Sequence, residues 1–268
     1  MPTQIYDDLD ILYRAIWGHS LHHGCWEADT KSPQEAKENL IQKSLNLLKP
    51  TGHVADIGCG YGVLAHRLIS QHHCSVTACT SSTKQAQQIP THPSLQLLVG
   101  DWLQQTIPPS SLDSAIAIES ISHFSDLDAL FSQLSSALKP GARFVIADWY
   151  SNKSSSFYLR HLAKNGDLPN WRPFSALLET ASRNQFIPIC EKNISHQVDK
   201  TWSALFYKSL TLPFRRPQLL PLILRNLAKR PALLWAFPLL KLAYLRGDLD
   251  YRLVTFTKEG RVSPRPSP

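Results

Sequence analysis

Apolar residues recur at helical spacing at Leu9, Leu12, Tyr13, Ile16 and Trp17, which predicts an amphipathic helix ahead of the rest of the chain. Ser32-Pro33-Gln34-Glu35 then has the form of a capping box with proline at the first helical position, and Leu40, Ile41, Leu45 and Leu48 mark one apolar face on the helix it opens. After that the period changes. Short apolar runs at 54–57, 75–79, 95–99, 114–118 and 144–147 read as five strands, with helices at 63–69, 82–89 and 127–138 between them. Lys139-Pro140-Gly141 is expected to stop the last of these helices. Strands alternating with helices imply a doubly wound, parallel α/β sheet. Beyond Trp149 the alternation lapses into a polar connection at 151–156 and a mainly helical insertion. The runs 186–189 and 251–256 read as closing antiparallel strands, which makes seven in all.

Composition narrows this only a little. A hydrophobic content of 43% excludes disorder for most of the chain, although the tail Ser263-Pro264-Arg265-Pro266-Ser267-Pro268 reads as disordered. Five cysteines stand without Cys-x-x-Cys or zinc-type spacing, so they read as reduced and structural, and no metal site is expected. The opening Met1-Pro2-Thr3-Gln4 lacks the basic and apolar regions of a secretory leader, and no uninterrupted apolar run reaches the ~18 residues that span a bilayer. The expected location is the cytoplasm, with peripheral membrane contact as a further expectation.

The formal charge is +7 and the excess is uneven. Residues 200–247 contain nine Lys and Arg and no acid, interleaved with leucines, and prolines at 213, 217, 221, 231 and 238 are expected to cut the segment into short pieces. Basic and apolar residues together suit an anionic lipid surface. A helical lid with merely solvated charges fits the same pattern.

The chemistry concentrates at Val54-Ala55-Asp56-Ile57-Gly58-Cys59-Gly60-Tyr61-Gly62, a buried strand running into a glycine-rich turn and a helix. Glycines at alternate positions let backbone approach a ligand where a Cβ would collide. The spacing differs from Gly-x-Gly-x-x-Gly and favours S-adenosylmethionine (SAM) over a dinucleotide. The second strand ends in Thr80, where a dinucleotide fold places an acid for the ribose, and this weakens the dinucleotide reading further.

The order of signals, Asp-x-Gly-x-Gly-x-Gly, Thr80, Gly100-Asp101, Glu119 and Leu138-Lys139-Pro140-Gly141, resembles the class I SAM-dependent methyltransferases. Tyr13 with Ile16-Trp17-Gly18-His19-Ser20-Leu21-His22-His23-Gly24-Cys25-Trp26 resembles more narrowly the opening signature of the gamma-tocopherol methyltransferase family, which includes relatives that N-methylate plant alkaloids. The likeness continues through 76–85, Ile118-Glu119-Ser120-Ile121-Ser122-His123-Phe124, Asp148-Trp149 and Leu168-Pro169-Asn170-Trp171. It implies a Rossmann-like doubly wound sheet of seven strands, with an N-terminal helical lid over 1–50, a SAM-binding core over 51–150, and a substrate-lid insertion with closing strands over 151–258.

The resemblance also implies site residues. Thr80 and Gln85 match a Thr…Gln pair that holds the ribose, both there and in the similar cyclopropane fatty acid synthases. Hydroxyl and amide groups donate and accept, so they satisfy a ribose without burying a charge. Simple strand closure by Thr80 and a solvated Gln85 is the alternative. Asp101 is implied for the adenine amino group and Trp102 for its face, unless Asp101 only caps the next turn. Asp56 would serve the methionine end through a water or backbone amide, Gly58 and Gly60 the cofactor by the absence of a side chain, and Glu119 the cofactor or its loop. His22, Glu119 and His123 are the candidates for acid-base work, with His23 read as structural. Families of this type place Glu before the histidine where this chain has Ser122, which argues against cyclopropanation.

The function these residues imply is methyl transfer to a hydrophobic aromatic, isoprenoid or alkaloid-like small molecule. C-methylation is slightly favoured by the tocopherol likeness, with N- or O-methylation as the alternative. A nucleic-acid methyltransferase is disfavoured because 119–122 lacks an Asn/Asp-Pro-Pro-aromatic turn and the basic segment is rich in leucine. A non-catalytic, membrane-associated SAM binder is the third reading.

Overall fold

The computed structural model describes residues 4–152, 159–160 and 171–260. Strands β1 (His53–Ile57), β2 (Ser75–Thr80), β3 (Leu95–Val99), β4 (Leu112–Ile118) and β5 (Leu138–Ser151) run parallel. Two more, β6 (Phe186–Asn193) and β7 (Leu249–Lys258), close the sheet, with β7 antiparallel to both β5 and β6. The order is β3-β2-β1-β4-β5-β7-β6, so the winding reverses between β1 and β4. That reversal opens a crevice at the carboxyl ends of the strands, where open α/β sheets take ligands.

Helices cover both faces, which is why the central strands are continuously buried and do not alternate. On one face α3 (Pro33–Leu48), α4 (Val63–His72), α8 (Ser195–Val198), α9 (Lys200–Arg215) and α11 (Leu233–Leu245) bring Leu40, Leu68, Val198, Leu205 and Leu240 onto Val54 and Val145. On the other, α6 (Leu127–Ala137) and α7 (Phe174–Arg183) pack Phe131, Leu134 and Leu177 against Phe144 and Phe256. The predicted capping box forms: Ser32 Oγ accepts from the Glu35 amide at 3.1 Å, and Glu35 in turn accepts from the Lys31 amide at 2.8 Å.

Three expectations are corrected. The helix predicted at 82–89 is only α5 (Thr83–Ala86); Pro90 disfavours helical backbone at Ile89, and the chain winds down through tighter turns. The fifth strand spans 14 residues: it starts at Leu138, which pairs with Leu112 of β4, and runs on to Ser151 because β7 pairs along Arg143–Ser151. The prolines do not all cut the basic segment. Pro213 lies inside α9 and Pro238 inside α11, while α10 (Leu220–Lys229) starts with a proline in its first turn.

The N-terminal pieces α1 (Gln4–Asp8) and α2 (Asp10–Trp17) lie across the carboxyl edge of the sheet. Polar contacts pin them there. Asp7 accepts from Ser82 Oγ and from Lys84, and Asp10 accepts from Tyr61 Oη at 2.5 Å and Arg14 at 2.8 Å. The expectations about 153–156, 168–170 and the tail 263–268 lie outside the described residues.

Candidate active site

Two cavities meet above the carboxyl ends of β1, β2 and β4. The first, about 110 Å³, lies over the glycine turn and is lined by Asp56, Gly58, Gly60, Thr80, Gln85 and Trp102, together with His22, Glu119 and His123. The second, about 380 Å³, is mainly apolar and is enclosed by α2, α9, α10 and α11. Tyr6, Leu21, Glu119 and His123 line both.

The two turn glycines do different work. Gly58 has φ +78°, and a Cβ there would stand 2.3 Å from the Ser120 Cβ, so it is bare to admit the end of β4. Gly60 has φ +55° with nothing within 4 Å of a Cβ, so it keeps backbone open to the cavity. Asp56 is buried at the end of β1, and its Oδ2 has no hydrogen-bond partner among the described residues. Burial pushes its carboxyl up to about 7, against the pull of the Ala65 backbone amide. Trp102 is buried with its Nε1 likewise unpartnered. Thr80 donates to Gln85 Oε1 at 2.7 Å, so the two act as one buried unit at the cavity wall.

Asp101 caps the turn that follows it. Its Oδ1 accepts from the Leu103 amide at 3.0 Å, and the cavity is lined by its neighbours Gly100 and Trp102 but not by Asp101. The capping alternative is the geometry found.

The loop crowded with imidazoles divides. His19, Ser20, Leu21 and His22 line the first cavity, whereas the following residues turn inward. His23 is fully buried and surrounded by Trp149, Trp202, Tyr244 and Tyr251, with ring centroids as close as 4.6 Å. The Trp26 indole donates to Thr201 Oγ1 at 3.1 Å. His22 Nδ1 donates to the His23 carbonyl at 2.7 Å, and burial pushes its ring down to about 4.

Glu119 sits at φ +51° just past β4. Its Oε1 accepts from the His23 amide (2.5 Å), His23 Nδ1 (2.9 Å) and Tyr251 Oη (2.9 Å). Burial pulls the carboxyl upward, but the His23 charge and hydrogen bonds outweigh it and hold Glu119 below the usual range. A carboxylate so heavily engaged is a poor proton acceptor and a good anchor for the loop.

His123 is the opposite case. Its Nε2 is 2.8 Å from Tyr6 Oη, its Nδ1 is buried without a partner among the described residues, and burial pushes the ring down to about 4. It is neutral near pH 7 with one ring nitrogen unengaged.

Sequence reasoning missed three groups. Tyr6 sits in a short helix that the periodicity did not resolve. Lys37 is buried on α3 and clamps the cavity loop by donating to Ser20 O at 2.6 Å and to Trp17 O; burial lowers it to about 8. Its only sequence signal was a charge on the apolar side of an amphipathic helix. Asp148, fully buried at the end of β5, accepts from the Ser122 amide at 3.2 Å and is pushed up to about 7 by burial.

Orphaned buried polar atoms at Asp56 and Trp102, an open cradle at Gly60 and the Thr80–Gln85 unit fit a ligand with a cationic amino-acid end, a ribose and a purine. No group of three or more His, Cys, Asp and Glu among the described residues could hold a metal ion.

Comparison with known proteins agrees. Residues 54–141 match the methyltransferase domain family. An O-methyltransferase of Pyrenophora dematioidea is 33% identical over 54% of this chain and 58% of that protein, so the likeness spans little more than half of that relative. The chloroplastic tocopherol O-methyltransferase of Arabidopsis thaliana is 23% identical over 96% of this chain and 81% of its own length. Among solved structures, the cyclopropane synthase MmaA2 from Mycobacterium tuberculosis superposes with a TM-score of 0.83 at 16% identity, covering 94% of this chain and 95% of that one. The fold is that of the class I methyltransferases, and residues 54–141 carry a methyltransferase domain. The cofactor of such a domain is SAM.

Proposed function

We propose that the chain as a whole, built on this domain, transfers a methyl group from SAM to a lipophilic small molecule that loses a proton in the reaction. Aromatic, isoprenoid or alkaloid-like compounds with an ionisable group near the methylated atom are the substrate class. The observation that carries the reading is the junction of the two cavities, where the site over the glycine turn, walled by Asp56, Thr80 and Gln85, and an apolar chamber share Tyr6, Leu21, Glu119 and His123. A chamber of this size also weighs against a non-catalytic SAM binder, which needs no acceptor space. Its leucine-rich wall weighs against nucleic acid.

Gly60 admits the cofactor backbone, Asp56 balances the cationic methionine end, Thr80 with Gln85 takes the ribose, and Trp102 covers the purine. When bound, SAM supplies an electrophilic methyl: the acceptor's electron pair forms the new bond, the carbon–sulfur bond breaks, and sulfur keeps that pair as a neutral sulfide.

The chain's own part is positioning and proton removal. With Nε2–H donating to Tyr6 Oη, His123 Nδ1 keeps its lone pair and takes the proton from the acceptor. A neutral imidazole is required for this, and burial keeps it neutral. Glu119 positions the loop through His23, His22 packs beside the cofactor, and Lys37 holds the loop closed by its carbonyls.

Deprotonating a phenol activates both its oxygen and its ring carbon. Carbon transfer is favoured by the tocopherol likeness and oxygen transfer by the names of the two curated relatives, so product analysis decides between them. The methyl-labelled cofactor with a panel of phenols, prenyl compounds and indole alkaloids tests the reading. Label in one lipophilic class supports it, and label in none of them contradicts it. We also read residues 200–247 as the face on which such an acceptor is collected from a membrane, and the location as cytoplasmic. No helix among the described residues is long and apolar enough to cross a bilayer.

A further inference from the structure

We infer that the rim of the apolar chamber is a membrane-docking edge: the end of α9, α10 and the start of α11 seat on an anionic lipid surface, and the acceptor enters between Leu210 and Leu234. The inference deepens the function proposed above and rests on its lipophilic acceptor.

Leu210 and Leu234 both line the chamber, yet they are 55% and 54% exposed, which makes them its mouth. Around them stand apolar side chains that take no part in the chamber wall. Phe214, one helical turn beyond Leu210, is 87% exposed, and Trp235 and Leu224 are 66% and 58% exposed. Scattered single apolar residues on a surface mean little; aromatic and leucine side chains gathered at the mouth of an apolar cavity mark a contact.

The charge around the mouth selects the partner. Arg215, Arg216, Arg225 and Lys229 are exposed, and among the described residues no carboxylate pairs with them. No acid occurs anywhere in 200–247, while its nine basic residues exceed the formal excess of the whole chain. A second copy docked here by a two-fold axis would bring the same arginines against one another, so a homodimer is opposed by like charge. An anionic bilayer matches both features, with phosphates under the arginines and acyl chains under Phe214 and Trp235. Binding there aligns the chamber mouth with the phase in which the acceptor dissolves.

The test is co-sedimentation of the full chain with vesicles of phosphatidylcholine alone and of equal parts phosphatidylcholine and phosphatidylglycerol, at low and high salt. The expected result is strong partition onto the anionic vesicles at low salt and weak partition onto the neutral ones. The double variants F214S/W235S and R215E/R216E should each lower partition about tenfold or more. Neither pair touches the two cavities, so calorimetric binding of S-adenosylhomocysteine should be unchanged, which shows that the variants fold. Labelled methyl transfer to a long-chain prenylated phenol should fall in both variants when the phenol is held in vesicles and stay level when it is held in detergent micelles.

No binding to the anionic vesicles, or binding that neither variant changes, overturns the docking edge. So does sedimentation as a dimer that F214S/W235S converts to a monomer. Loss of transfer from micelles in the unmodified chain, with vesicle binding intact, overturns the acceptor reading and leaves the docking edge standing.

Discussion

His123 Nε2 lies 2.8 Å from Tyr6 Oη, a contact across 117 residues of sequence at the point where the two cavities join. One partner follows β4 and the other belongs to the first helix, so docking that helix against the sheet edge completes the arrangement. If His123 takes the acceptor's proton, H123A lowers kcat by roughly 10²–10⁴-fold while leaving the affinity for S-adenosylhomocysteine near that of the unmodified chain. Y6F removes only the hydrogen bond that orients the ring and has the smaller effect. Because burial holds His123 near 4, kcat/KM for the acceptor at saturating SAM should stay level as pH falls from 7 and drop only on approach to that value. A pH–rate profile that bends near the ordinary histidine value contradicts the assignment.

The glycine turn yields a prediction that separates stability from binding. G58A adds a Cβ 2.3 Å from the Ser120 Cβ at a positive φ, so it destabilises by about 1–3 kcal/mol, and S120G in the same chain recovers part of the loss. G60A meets no neighbour and pays only the backbone term of about 1 kcal/mol, yet it weakens cofactor binding because its methyl projects into the cavity. Thermal unfolding and calorimetry on the two variants check the split.

Asp56 predicts a proton count. Its folded value of about 7 without ligand comes from burial, and the positive charge of a bound SAM favours the ionised carboxylate. Binding should therefore release protons near neutral pH and tighten as pH rises through 7. Calorimetry in two buffers of different ionisation enthalpy measures the release, and D56N should abolish it.

The positions of the strands and the glycine turn were readable because they rest on local chemistry. Apolar runs of strand length, separated by helical periods, fix which segments are buried on both faces. The turn at 56–62 announces itself by residues that only a close backbone approach requires. What could not be read depends on long-range contact. Asp101 shows a carboxylate in the sequence, but that it caps the next turn depends on where the Leu103 amide falls. Tyr6 and Lys37 show nothing of their roles until His123 meets the one and the Trp17 and Ser20 carbonyls meet the other. The division of that loop between His22, at the cavity, and His23, inside the aromatic cluster, is likewise set by Glu119, 96 residues away from His23.

Acid stability depends on groups with opposite signs. His22 and His123 are held near 4 by burial, below the unfolded histidine value, so the unfolded chain binds more protons and stability is lost as pH falls from about 6.5 toward 4. Asp56 and Asp148 are raised to about 7, so their contribution is fully present below the unfolded carboxylate value and is lost as pH rises through 7. Removing one side of this balance should expose the other. D148N should flatten the decline between about pH 4 and 7, whereas H123Q should flatten the loss as pH falls from 6.5 toward 4, as measured by melting temperature against pH.

Methyl transfer from labelled SAM, followed by extraction into organic solvent, tests the proposed function most directly. The unmodified chain should place label in a lipophilic acceptor, and H123A should bind the cofactor equally well while transferring at least a hundredfold more slowly. Tight binding of S-adenosylhomocysteine with no label in any lipophilic acceptor, or equal transfer by H123A, would contradict it.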